Sequence, residues 1–169
     1  ILFSDILTIP DSFGLGVEFV EKEGPVFNNP INSSTDISNL DHFDPESLDY
    51  VYKAVKNIKN SLSEEIPLIG FCGSPWTLAA YSIEGRSSKD FKKTLNFLES
   101  NQKDVHNLLI KYTDACFLYL RRQVQSGADV IQIFDSWANL LTKEGLIEYS
   151  FNYVNALISA LKLDPVTKN

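Results

Sequence analysis

The chain has 169 residues, of which 44% are hydrophobic and 22% charged, with a formal net charge of −7, an ordinary profile for a globular domain with a sizeable buried core. The densest basic pairs, Lys92-Lys93 and Arg121-Arg122, fall in helix-like stretches, so the basic stripe of a nucleic-acid binder is missing. No apolar run approaches the ~20 residues that span a bilayer, and no signal-peptide pattern is visible.

Taken in order, the chain opens on Ile1-Leu2-Phe3 rather than on Met, which reads as an internal stretch of a longer protein; residues 1 to 4 form the first predicted strand. Residues 17 to 43 read as irregular. Gly14, Gly16, Gly24-Pro25 and the Asn-, Ser- and Asp-rich stretch from Asn28 to Asp41 mark turns, with a short helix predicted at 35 to 40. Asp44-Pro45 is a strong helix start, because Asp caps free amides and Pro suits the first helical position. Leu48, Val51, Tyr52, Val55, Ile58 and Leu62 then recur at helical spacing.

Pro67 to Cys72 reads as a buried strand. Gly73-Ser74-Pro75 ends it and starts a helix to about Glu84, which Gly85 stops. A helix over 89 to 98 and a long one from about Lys103 follow, the latter with Val105, Leu108, Leu109, Tyr112, Cys116, Tyr119, Leu120 and Val124 inward and Gly127 as its cap. Asp129 to Phe134 is the third predicted strand. The last helix covers 143 to 161, with Leu146, Ile147, Val154, Leu157, Ile158 and Leu161 as its stripe. Strands alternating with long helices argue for an α/β fold with parallel strands. The two cysteines, Cys72 and Cys116, are few and far apart, as reduced core thiols of a cytosolic or organelle-stromal protein are.

Parallel α/β folds bind ligands at the carboxyl ends of their strands. The predicted strands end in Ser4-Asp5-Ile6-Leu7, in Gly73-Ser74-Pro75-Trp76-Thr77 with Tyr81 on the next helix, and in Asp135-Ser136-Trp137. Polar groups thus gather at every strand end beside apolar neighbours, which describes a pocket holding a carboxylate.

Three long runs, ILFSDILTIPDSFGLGVEF with EGPVF, GFCGSPWTLAAYSIEG, and QIFDSWANLL, resemble the signature segments of the uroporphyrinogen decarboxylase family, in order and at the usual spacing. The resemblance reaches from Ile1 to about Leu141, and the DSW form looks like bacterial and plastid members. It implies a (β/α)8 TIM-type barrel, of which the three strands are about three of eight units. It further implies a homodimer, cytoplasmic or in the plastid stroma, that removes CO2 from the four acetate chains of uroporphyrinogen without cofactor or metal. On the resemblance, Asp5 is the essential aspartate beneath the centre of the macrocycle, and Tyr81 and Ser136 contact this tetrapyrrole substrate. Asn139 stands where the family often has Gly, and Ser82 where it often has Met. The family's arginine-rich N-terminal and histidine-bearing C-terminal segments have no counterpart here.

Each residue also has a structural reading. Asp5 is a turn or cap residue, Ser136 a cap for the helix after the third strand, and Tyr81 a core aromatic with a satisfied hydroxyl. Trp76, Trp137 and Phe134 are packing residues, and Asp135 is a structural acceptor. His42 and His106 have no partners at ligand or triad spacing. The competing functions are a zinc-dependent methyltransferase on the same barrel and a non-catalytic remnant; the sequence shows no paired Cys and His at zinc spacing.

Overall fold

The computed structural model describes residues 5–168, so the strand predicted at 1 to 4 lies outside the described residues. A short helical stretch, α1 (Thr8–Pro10), runs on through one wide turn over Asp11–Leu15. Gly16, at φ 65°, then turns the chain into a strand that the sequence reading left as irregular. This β1 (Val17–Val20) pairs antiparallel with β2 (Gly24–Phe27), Val17 opposite Phe27 and Val20 opposite Gly24. The hairpin is anchored on its β2 side. The Phe27 N–H donates to the Gly85 carbonyl (2.8 Å) and the Ser87 N–H to that of Pro25 (3.3 Å).

Local signals set the next elements. Ser33 and Asp36 form a reciprocal capping box at the start of α2 (Ser34–Ser38). The Asp44 carboxylate accepts the Glu46 N–H (2.9 Å), and the tight turn Pro45–Leu48 leads into α3 (Asp49–Ser61). Leu48, Val51, Tyr52 and Val55 are buried as their spacing predicts.

The centre of the fold is a right-sized crossover unit. Strands β3 (Ile69–Gly73) and β4 (Val130–Phe134) are parallel and in register, from Ile69 opposite Val130 to Gly73 opposite Phe134. Parallel neighbours need a long connection, supplied by α4 (Pro75–Glu84), α5 (Lys92–Ser100) and α6 (Gln102–Gln125). Trp76, Leu78, Ala79, Ala80 and Ile83 are all fully buried, because α4 is wrapped by its neighbours rather than lying on the surface. Ser82, also buried, satisfies its hydroxyl against the Leu78 carbonyl (2.8 Å) and the Tyr112 hydroxyl (2.7 Å).

Two features fix α6 against β3. The Gln123 side-chain amide exchanges hydrogen bonds with the backbone of Phe71, accepting at 3.0 Å and donating at 2.9 Å. Gly70 leaves the room for this: a Cβ there would stand 2.6 Å from the Gln123 Oε1. The helix ends in a Schellman motif, with the Ala128 N–H on the Gln123 carbonyl (3.0 Å) and the Gly127 N–H on that of Val124 (2.9 Å). Cys72 and Cys116 are buried free thiols; burial raises the Cys116 pKa well above its ordinary value.

The final helical run starts as α7 (Lys143–Gly145), widens to a π-helical turn over Leu146–Phe151, and continues as α8 (Asn152–Leu163). Leu157 and Leu161 are buried as predicted, but Leu146 and Ile147 are exposed (38% and 55%), and Tyr149 and Ser150 face inward instead. The extra residue per turn in a π-bulge rotates the buried face, so the α-helical spacing mispredicts the first turn. The described residues thus form a mixed α/β fold of helices and short strands. No helix among them is long and apolar enough to cross a membrane.

Candidate functional site

At the carboxyl end of the parallel pair, the Ser74 N–H donates to the Phe134 carbonyl (2.7 Å), carrying the ladder one step past β3. The two chains then part, one into α4 and the other into Asp135-Ser136-Trp137. A cavity of about 550 Å³ opens at this point. Its apolar walls are Ile6, Leu7, Phe19, Pro25, Phe71 and Phe134, and its polar groups are Asp5, Tyr81 and Ser136. The volume and the lining, apolar with a few convergent polar groups, suit a small-molecule site. All three site residues expected from the sequence therefore meet on one cavity.

Asp5 is half-buried. One carboxylate oxygen, Oδ1, accepts the Leu7 N–H (2.8 Å), so the turn reading of this residue holds for half of its carboxylate. The other oxygen accepts no hydrogen bond from a described residue. Burial raises the Asp5 pKa above its ordinary value; the Leu7 N–H opposes that shift, and the nearby charge of Asp11 adds to it. Asp5 is thus an under-satisfied carboxylate facing apolar walls, where a cationic or N–H-bearing ligand is favoured.

Tyr81 is held by its ring. It stands edge-on to Phe91 (5.6 Å between centroids) and to Trp137 (5.8 Å), which also touch each other at 4.4 Å. Phe91 has φ 48°, a left-handed conformation that is costly for an aromatic residue; the Ser88 hydroxyl accepts its N–H (3.2 Å). The Tyr81 hydroxyl bonds to no described residue, so a core aromatic with a satisfied hydroxyl does not describe it. Ser136 is exposed and its hydroxyl is likewise free of described partners. It caps nothing, because the next helical turn, Ala138–Leu140, begins after Trp137 without a side-chain cap.

Asp135 is the opposite of Asp5. Its Oδ1 accepts from the hydroxyls of Ser74 (2.8 Å) and Thr77 (3.0 Å), and its Oδ2 from that of Ser150. The three donors are buried, which fits the structural acceptor expected at this position. Thr77 in turn accepts the Ser136 N–H (2.9 Å). Trp76 is fully buried, with its Nε1 donating to the Trp137 carbonyl (2.9 Å).

The cations lie elsewhere. Arg86 pairs with Glu23 (3.3 Å), Arg121 with Asp164 (3.0 Å) and Arg122 with Glu46 (2.6 Å); none of these three, and no lysine of the described residues, lines the cavity. His42 lines a separate surface cleft with Asp41, Lys111 and Asp114. His106 has partners through the tertiary fold: its Nδ1 is 2.6 Å from the Tyr153 hydroxyl and its Nε2 is 3.2 Å from Glu148. The fold brings these from 47 and 42 residues away, so no local spacing announces them. Among the described residues, no group of three or more His, Cys, Asp or Glu side chains is arranged to hold a metal ion.

The sequence reading assigns no role to three contributors. Phe19, 68% exposed, and Pro25 face each other across the hairpin and supply part of the cavity wall; the apolar alternation of Val17 and Phe19 before a turn was the available signal. Thr77 lies one helical turn after the cap Ser74, a spacing that placed it beside Asp135 only once the strands were paired.

The family model for uroporphyrinogen decarboxylase (URO-D) matches residues 1–167. Relatives named uroporphyrinogen decarboxylase include that of Serratia proteamaculans, 47% identical over 162 residues (95% of this chain, 46% of the relative). That of Psychrobacter arcticus is 48% identical over 164 residues (96% and 43%), and that of Methylococcus capsulatus 48% identical over 164 residues (96% and 47%). The chain spans about half the length of these curated relatives. It belongs to the uroporphyrinogen decarboxylase family.

Proposed function

From this membership and the meeting of Asp5, Tyr81 and Ser136 on one cavity, we propose that the protein decarboxylates uroporphyrinogen, converting its four acetate chains to the methyl groups of coproporphyrinogen. Residues 1–169 are then part of a single (β/α)8 barrel domain, with β3 and β4 as two neighbouring barrel strands. The remaining units, and the homodimer, belong to the longer protein, working in the cytoplasm. The share of each relative that this chain covers supports that division.

The chemistry follows from the ring and from Asp5. Loss of CO2 needs a sink for the electron pair of the breaking C–C bond. A pyrrole protonated on carbon beside the acetate-bearing position supplies it, so the substrate acts as its own electron sink. The pair flows into the cationic ring as CO2 leaves; the exocyclic carbon then takes up a proton to become a methyl group, and the ring returns its own. Each acetate therefore consumes one proton and releases one CO2.

Asp5 stabilises the cationic ring and accepts the pyrrole N–H groups at its unpaired oxygen. A fixed charge in an apolar cavity contributes several kcal/mol to such a step, on the order of magnitude seen for preorganised electrostatic sites. The hydroxyls of Tyr81 and Ser136 donate to the substrate's carboxylate chains, and the apolar walls pack on the macrocycle. No arginine or lysine of the described residues lines the cavity, so the cations that hold the remaining carboxylates are assigned to residues outside 5–168.

The observation that carries this reading is the single cavity shared by Asp5, Tyr81 and Ser136. Incubating the full-length protein anaerobically with uroporphyrinogen and separating the products by chromatography tests it. Stepwise appearance of hepta- to tetracarboxylate products is expected. No loss of carboxylate from a folded full-length protein would contradict it.

A further inference from the structure

We propose that Thr77 is a positioning residue for Ser136, holding the strand-end backbone so that the Ser136 hydroxyl stays aimed at the substrate; this rests on the reading of Ser136 as a substrate contact. Ser136 is exposed and its own hydroxyl has no described partner, so nothing in its side chain fixes where it points. Its backbone N–H is what is held. That N–H donates to Thr77 Oγ1 (2.9 Å), and the same hydroxyl donates to Asp135 Oδ1 (3.0 Å). A hydroxyl has one proton to give and lone pairs to receive, so these two bonds fix its orientation.

The rest of the network keeps Thr77 in place. Thr77 is completely buried in the first turn of α4. Its N–H donates to the Ser74 hydroxyl (3.0 Å), which donates to the same carboxylate oxygen of Asp135 at 2.8 Å. Ser150, brought inward by the π-helical turn, donates to the other oxygen. Every donor in the network has one acceptor available, so the arrangement has a single consistent direction, from the Ser136 N–H through the Thr77 hydroxyl to the Asp135 carboxylate. A buried side chain bonded to the backbone of an exposed polar residue in this way restricts that residue without touching the ligand.

The test is a double-mutant cycle in the full-length enzyme acting on uroporphyrinogen. Thr77→Val keeps the shape of the side chain and removes the hydroxyl. It should raise KM about three- to tenfold, the scale of one neutral hydrogen bond, with kcat within about twofold, and Thr77→Ser should restore KM. Ser136→Ala should raise KM by a similar factor. The double variant should be no worse than Ser136→Ala, because once the hydroxyl is gone its aim no longer matters. Amide exchange at Ser136 should be faster in Thr77→Val.

Factors that multiply in the double variant, an unchanged KM in Thr77→Val, or failure of Thr77→Ser to restore it would overturn the inference while leaving Ser136 as a substrate contact. Normal kinetics in Ser136→Ala would instead remove that contact, and the inference with it. Where Thr77→Val does not fold, Thr77→Cys, with only a weak donor and acceptor, takes its place with the same rise in KM expected.

Discussion

Two aspartates stand at the same end of the molecule and are treated in opposite ways. Asp135 receives three hydroxyl donors from buried residues and has no oxygen to spare. Asp5 receives one backbone N–H, faces apolar walls, and has its pKa raised by that burial. A carboxylate whose bonds are all made inside the protein holds structure together. One left half-made at a cavity wall is available to a ligand, and the fold bears the cost of keeping it so.

Replacing Asp135 should give the largest effect on stability. Asp135→Ala leaves three buried hydroxyls without their acceptor, and stability should fall by about 3 kcal/mol or more at ~1–3 kcal/mol for each unsatisfied group. Urea unfolding of the full-length protein measures this, and a loss below ~1 kcal/mol would erase the contrast between the two aspartates.

Asp5→Asn should do the reverse. Its decarboxylation rate should fall about 100-fold or more, the scale of losing one preorganised electrostatic group, while the fold gains. The sign follows from the direction of the shift. With the folded-state pKa raised, stability from protonated Asp5 is fully present below the ordinary carboxylate pKa and is lost as pH rises through the raised value. Asn resembles the protonated form and still offers an oxygen to the Leu7 N–H, so Asp5→Asn should melt higher than the parent at pH 7. In acid the difference should shrink. A variant that melts lower at pH 7 would show Asp5 to be structural after all.

Tyr81→Phe sharpens the comparison at smaller scale. The ring contacts with Phe91 and Trp137 remain, and only a hydroxyl without a described partner is lost. Stability should be unchanged, and kcat/KM should drop by the worth of one neutral hydrogen bond, ~0.5–1.5 kcal/mol. A large drop in melting temperature with normal kinetics would return Tyr81 to the core.

What the sequence disclosed depended on how local the signal was. The starts at Asp44-Pro45 and Ser74-Pro75 and the stops at Gly85 and Gly127 lie within one turn of the features they control, and each was readable. The hairpin over Val17–Phe27 was not. Its glycines look like loop residues, and its anchor is the backbone around Arg86, some sixty positions away. Leu146 and Ile147 were misassigned because a π-turn breaks the 3.6-residue period used to place them. Asp5, Tyr81 and Ser136 were reachable through their motifs, whereas Thr77, His106 with Tyr153, and the wall residue Phe19 gain their surroundings only from tertiary pairing.

The most direct measurement is a carbon-13 titration of the Asp5 carboxyl in the full-length protein, free and with coproporphyrinogen bound under anaerobic conditions. Asp5 should titrate above the ordinary carboxylate range when free and move down once pyrrole N–H groups reach its open oxygen. A free-state pKa at or below the ordinary range, or one that the tetrapyrrole leaves unmoved, would contradict the account.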